Sequence, residues 1–295
     1  MNDKTIGNPV SWAAQKVAGM GRGVGSAVDG ISSHDLARPQ INRIGADDIR
    51  SALKKGVEDF GALRSDVIFL VVLYPVIGFV LALWSFNTDD LHLLFPLVAG
   101  FPLVGPVAAL GLYELSRRRE RGEDANWSAA LDTLTGRILG PVIMLSLLLV
   151  AIFTLWMLVA HAIWSATLGP ASYDGLWDFL GTTLSTAEGW TMIVVGLAVG
   201  FVFAAVTLCI SMVSFPMMID RQVGVPVALA TSFAVARRNP GTTALWGLVV
   251  AVALMVGMIP LFAGLVVVLP ILGHATWHLY RSAVAEPEIA SRAAA

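Results

Sequence analysis

The stretch ILGPVIMLSLLLVAIFTLWMLVAHAIWSA, Ile138 to Ala166, decides the fold. It contains no Asp, Glu, Lys or Arg, and at about 1.5 Å rise per residue a helix of this length exceeds the roughly 30 Å hydrocarbon core of a bilayer. The rest of the chain agrees with it. Of 295 residues, 56% are hydrophobic and 14% charged, where a soluble domain carries about 25% charged residues; mean hydropathy is +0.74. That composition excludes most soluble enzyme classes. A balance of 19 basic against 21 acidic residues leaves no electrostatic footprint for nucleic acid, and the single cysteine, Cys209, cannot form an internal disulfide.

Working outward, five more segments are apolar enough to cross: Val67 to Phe86, Leu91 to Leu115, Trp190 to Ile219, Thr242 to Met258, and Leu261 to Tyr280. The last two abut. Read as one helix they would approach twice the bilayer thickness, and Gly257 and Pro260 near the middle favour a tight hairpin, with a re-entrant pair as the alternative. The expected fold is therefore all-α and polytopic. Residues 1–39 are a Gly-, Ala- and Ser-rich tail without the apolar stretch of a secretory signal peptide, 40–281 a six-helix membrane domain, and 282–295 a short C-terminal tail. Leu176, Trp177, Phe179, Leu180 and Leu184 are expected to form a short helix in the headgroup plane.

Orientation follows from the basic residues, which are retained on the cytoplasmic side. All of them precede the first span, lie between spans two and three or four and five, or follow span six. Arg117, Arg118, Arg119, Arg221, Arg237, Arg238 and Arg281 are thus expected topology anchors, with the run from Ser116 to Arg121 facing anionic lipid. The opposite loops carry Asp89, Asp90, Asp174, Asp178 and Glu188, so both termini are expected in the cytoplasm.

Internal similarity adds a repeat. An offset of 164 residues superimposes Pro96, Leu97, Ala99, Gly100, Pro106, Leu115 and Arg117 on Pro260, Leu261, Ala263, Gly264, Pro270, Leu279 and Arg281. Offsets of about 99 and 179 relate Trp127 to Leu134, Pro226 to Phe233 and Asp47 to Lys54. Either this is chance similarity of apolar segments, or the chain holds three parallel hairpins, each preceded by a cytoplasmic amphipathic helix. Span two is broken by Pro96, Gly100, Pro102, Gly105 and Pro106, and span six by Pro260, Gly264 and Pro270. Such breaks either kink helices for packing or line a transport site at a repeat interface. Gly196, Gly200 and Ala204 form a small-residue ridge suited to helix packing.

Ionisable groups deep in the spans are scarce. Glu114 and Asp220 lie near inner helix ends, where they can reach water or pair with Arg117 to Arg119 and with Arg221. His274 and His278, spaced i and i+4, share a helical face, and Glu114 is the repeat-equivalent of His278. A two-histidine, one-carboxylate metal site is conceivable from these three, against simple solvation at the interface. No cofactor is expected, since no nucleophile motif, phosphate-cradling loop or cysteine metal site is present.

Four motifs carry a family resemblance: ARPQINRIGADDIRSALKKGVEDF (Ala37 to Phe60), GPVAALGLYELSRRRE (Gly105 to Glu120), SFPMMIDR (Ser214 to Arg221) and GLVVVLPILGHATWHLYR (Gly264 to Arg281). Together they resemble the bacterial integral membrane family called domain of unknown function 2189. The resemblance implies a proteobacterial inner-membrane protein without an established activity, some members being labelled cytochrome c oxidase subunits. The chain lacks the membrane histidines that an oxidase catalytic subunit needs. The expected function is an accessory or scaffold role in a membrane assembly, with lipid, other subunits or a second copy as partners. A small-solute transporter or channel using spans two and six is the alternative.

Overall fold

The computed structural model describes residues 39–62, 76, 80, 83, 91–100, 105–125, 138–169, 173–260 and 262–285. Among them the chain forms α1 (46–62), α2 (Leu91–Gly100), α3 (Gly105–Ala108), α4 (Leu110–Glu120), α5 (Leu139–Thr167), α6 (Leu176–Ser185), α7 (Ala187–Arg221), α8 (Val225–Arg238), α9 (Pro240–Met258) and α10 (Leu265–Ala283). The N-terminal tail, nearly all of Val67 to Phe86, Pro102, Trp127 to Leu134 and residues 286–295 lie outside the described residues.

Three described helices, α5, α7 and α9, are long and apolar enough to cross a membrane. α7 has 35 residues, about 50 Å at 1.5 Å per residue, and so reaches well beyond one hydrocarbon core. The two ends of these helices differ in burial. Towards the acidic-loop end Leu158, Val194, Leu197 and Phe201 are exposed, Phe201 to 74%. Towards the other end Val213, Phe215, Met217, Met218 and Ile219 of α7 are sealed against Tyr113, Leu115, Trp246, Trp277 and Tyr280. Lipid takes the place of a protein core around the first set, and helix-on-helix packing buries the second.

α10 differs from the sequence expectation in character. It is as long as α9, 19 residues, yet His274, Thr276, His278 and Arg281 fill its second half, and Leu272 to Ala275 and Trp277 to Tyr280 are buried within the protein. Within the second expected span the described residues form α2, α3 and α4, and residues 101–104 lie outside the described residues. The Trp156 indole N–H donates to the Pro96 carbonyl of α2 at 2.9 Å. A Cβ on Gly100 would meet the Trp156 ring at 2.6 Å, and one on Gly200 would meet it at 2.9 Å. These two glycines let α2 and α7 close on one tryptophan of α5. Near the α9–α10 turn Gly264 lies against Gly257, where a Cβ would meet the Gly257 carbonyl oxygen at 2.8 Å.

α1 shows why a polar helix is held against a membrane bundle. Ile49, Ala52, Gly56 and Asp59 recur at helical spacing, and Ile49, Ala52 and Asp59 are buried. Asp48 accepts the Gly45 N–H at 2.8 Å, closing the first turn. The segment before it pairs with the C-terminal end of α10: Ile41 bridges Val284, and the Asn42 and Ala285 amides donate to the Ala283 and Gln40 carbonyls at 2.9 and 3.0 Å. At the opposite end, a short helix is present at the expected residues as α6, with Trp177 83% exposed.

Gly56 is the contact on which α1 docking turns. A Cβ there would lie 2.7 Å from the Ile271 carbonyl oxygen and 2.9 Å from the Ala275 backbone nitrogen. Alanine would favour the helix by up to about 1 kcal/mol, but backbone atoms cannot retreat from it as a flexible side chain could. Gly56→Ala is therefore expected to destabilise the fold by about 1–3 kcal/mol and to speed tryptic cleavage at Lys54 and Lys55. Unchanged thermal unfolding in detergent together with unchanged protection would refute this docking.

Candidate functional site

The charged residues of α1, α4, α7 and α10 converge at one end of the bundle. Asp59 stands at its centre. Its Oδ2 accepts the Ser116 hydroxyl at 2.6 Å and lies 2.9 Å from His278 Nε2, while its Oδ1 accepts from Arg119 at 2.7 Å. His274 joins through Nδ1, 2.7 Å from Ser116 Oγ. Ser116 has one hydrogen, so with Asp59 receiving it His274 Nδ1 must donate to the serine oxygen. The Nε2 of His274 is then an acceptor, buried without a hydrogen-bond partner among the described residues.

Burial works against the charge of Asp59. The hydrogen bonds from His278 and Ser116 and the nearby imidazoles outweigh it, holding the carboxyl below its ordinary value of 3.8. Two further carboxylates are matched beside it. Glu114, fully buried, accepts from Arg117 Nε and NH2 at 2.7 and 2.8 Å and from Arg118 Nε at 2.7 Å. Burial opposes the Arg117 charge as well, yet the Glu114 hydrogen bond and charge raise its pKa above the usual value. Asp220 accepts the Tyr280 hydroxyl at 2.8 Å and lies 3.3, 3.5 and 3.8 Å from Arg121, Arg281 and Arg221. Arg221 also donates to the Ala285 carbonyl. Glu120 completes the cluster, accepting from Trp277 Nε1 at 3.0 Å and Arg281 Nε at 3.3 Å.

This arrangement sorts the sequence expectations. The local pairs of Glu114 with Arg117 and Arg118, and of Asp220 with Arg221, are formed. His274 and His278 are brought together, but their shared carboxylate is Asp59 and not Glu114, whose oxygens are occupied by two arginines. Among the described residues no three His, Cys, Asp or Glu side chains form a group able to hold a metal ion. Of the expected topology anchors, Arg117, Arg118, Arg119, Arg221 and Arg281 pair with the protein's own acids, whereas Arg237 and Arg238 are exposed. Of the broken-helix residues, Gly100 packs on Trp156, Pro96 supplies the carbonyl for that indole, and Pro270 is buried inside α10. Gly105 and Pro106 open α3, Pro260 lies in the α9–α10 turn beside Gly264, and Pro102 is outside the described residues.

Asp59 is the residue that sequence reasoning missed. A signal existed: it occupies the buried stripe of α1, ten residues after Ile49, where an apolar residue is expected. A second, separate cluster lies at the opposite end, where His92 Nε2 is 2.9 Å from His161 Nδ1 and the His92 ring stacks on Trp164 with centroids 3.7 Å apart.

The lowered pKa of Asp59 fixes the sign of its pH dependence. Its ionised form stabilises the fold, fully so above about pH 5, and the contribution is lost as pH falls below 3.8. Arg119 is 40% exposed, so solvent screens that ion pair and most of the loss falls on the buried hydrogen bonds. Asp59→Asn is expected to cost about 1–3 kcal/mol at neutral pH, with the gap to the parent protein narrowing below pH 3.8. A gap that stays constant through acid unfolding would show that the carboxylate charge does not contribute.

A family model described as "Predicted integral membrane protein (DUF2189)" matches residues 94–220, from α2 through the Asp220 end of α7. No curated protein and no solved structure matches the chain. With three described helices long and apolar enough to cross a bilayer, the chain is an integral membrane protein that is similar, over residues 94–220, to the family described as DUF2189.

Proposed function

We propose that the protein is a non-catalytic accessory or scaffold component of a membrane assembly, seated in the bacterial inner membrane with six spans and both termini in the cytoplasm. The ion-paired node carries this reading. It ties α1, α4, α7 and α10 through Asp59, Asp220 and Glu120, so that segments up to 219 residues apart meet at one end. Breaking a buried ion pair of this kind costs about 3–5 kcal/mol, which suits a rigid platform for partner subunits.

The repeat and topology readings draw support from the same end. The repeat-equivalents Leu115 and Leu279 are both buried, and Arg117 and Arg281 both enter the node. The equivalent segments at Asp47 and Pro226 both fall in helices, α1 and α8. Arg119 of α4, Arg121 just after it, Arg221 of α7 and Arg281 of α10 share the node, while α6, with Asp178, packs near Trp164 in a separate cluster.

Two measurements test this. In intact inverted and right-side-out membrane vesicles, with Cys209 replaced, Lys55→Cys is expected to react with a membrane-impermeant thiol reagent only from the cytoplasmic side, and Asp174→Cys only from the other. Labelling of both from one face would overturn the topology. Affinity purification from native membranes in mild detergent is expected to recover a defined membrane complex. A lone monomer, combined with proteoliposome solute flux that falls in Pro106→Ala, would replace the scaffold reading with the transporter.

A further inference from the structure

We propose that Arg43, Arg237 and Arg238, gathered around Asn239, form a binding site for the headgroup of an anionic phospholipid. Asn239 makes the juxtaposition. Its Oδ1 accepts the Ile44 N–H at 3.0 Å and its Nδ2 donates to the Asn42 carbonyl at 3.1 Å, while Thr242 Oγ1 donates to the Ile44 carbonyl at 2.7 Å. The chain on either side of Arg43 is thereby stitched to the residue that immediately follows Arg237 and Arg238. All three arginines are exposed.

The absence of an acidic partner separates them from the arginines of the ion-paired node. Arg117, Arg118, Arg119, Arg121, Arg221 and Arg281 each lie within 4.0 Å of a carboxylate. Among the described residues no carboxylate pairs with Arg43, Arg237 or Arg238, and Asp48, on the same segment as Arg43, is engaged by the Gly45 N–H. Three exposed arginines that Asn239 brings to neighbouring positions of the backbone, with no carboxylate paired to them among the described residues, attract a phosphate, which guanidinium N–H donors can fit in a bidentate manner.

The setting selects a lipid as the source of that phosphate. α9, a spanning helix, begins at Pro240, directly after the arginine pair, and exposes Leu245 and Leu248 within its first turns. The outward strip of α8 runs Pro226, Ala230, Phe233, Arg237 at spacings of four, three and four, with Phe233 exposed among them. The arginines therefore stand at the margin of an acyl-facing surface, where an anionic leaflet presents phosphate at the matching depth.

The test uses the full chain in zwitterionic detergent micelles, with thermal unfolding followed as dioleoyl phosphatidylglycerol, dioleoyl phosphatidylcholine or inorganic phosphate is added. Phosphatidylglycerol is expected to raise Tm at concentrations where the other two do not, and the rise is expected to shrink from 50 to 500 mM NaCl as charges are screened. Arg43→Gln/Arg237→Gln/Arg238→Gln is expected to need at least about tenfold more phosphatidylglycerol for the same shift. The surface control Lys55→Gln is expected to retain the response, and Arg43→Lys/Arg237→Lys/Arg238→Lys, which keeps the charge but not the fork, to respond at lower phosphatidylglycerol than the glutamine variant, which separates lost charge from lost folding. An equal shift with phosphatidylcholine, an equal shift with inorganic phosphate, or a parent-like response of the glutamine variant would each overturn the proposal.

Discussion

A buried carboxylate has to be matched before anything else at the ionised end can be arranged. Asp59, Glu114 and Asp220 sit among Tyr113, Trp277, Tyr280 and the buried end of α7. Removing one carboxylate from water costs several kcal/mol, and one cation at 4 Å returns only about 4 kcal/mol at an effective dielectric of 20. A single partner barely balances that cost, which is why each acid has several: Asp59 is met by Ser116, His278 and Arg119, and Asp220 by Tyr280 and three arginines. Because those partners come from different helices, charge matching sets the relative positions of α1, α4, α7 and α10.

Small residues then decide how closely the helices approach. Between helices in lipid the hydrophobic drive is weak, so close packing supplies much of the attraction. Gly273 faces Leu112, where a Cβ would come within 2.5 Å of the leucine side chain, bringing α10 onto α4. Gly56 does the same for α1 on α10. These contacts place Ser116 between Asp59 and His274, so the hydrogen-bond chain of the node depends on the glycines that flank it.

Much of the fold was legible because bilayer physics writes it locally. Ile138 to Ala166 is a span by composition alone, and α5 occupies nearly the same residues. The same holds for α7 and α9, and for the short helix at Leu176. The pairs of Glu114 with Arg117 and Arg118 were legible too, since i+3 and i+4 neighbours share a face. The pairing of Asp59 with Arg119 and His278 was not, because 60 and 219 residues separate the partners and no periodicity encodes the meeting. His274 and His278 invited Glu114 as their third group through the repeat, whereas in the folded chain the docking of α1 supplies Asp59 first. The polar half of α10 has the same origin: it is understood only once α1 and α4 cover it.

The arginines show how one residue can answer to two different physical states. The positive-inside rule weighs charge on a chain being inserted, when no tertiary partner exists and every guanidinium is free. Folding then divides the same set. Those within reach of Asp59, Glu114, Glu120 or Asp220 are withdrawn into ion pairs, as Arg117, Arg118, Arg119 and Arg281 are. Those on α8 and beside Ile44 have no such acid among the described residues and keep their charge at the surface. A run such as SRRRER can therefore be largely engaged by ion pairs within the native fold, while a less conspicuous pair, Arg237 and Arg238, stays exposed. Sequence density of positive charge records the first state, and only the placement of the carboxylates records the second.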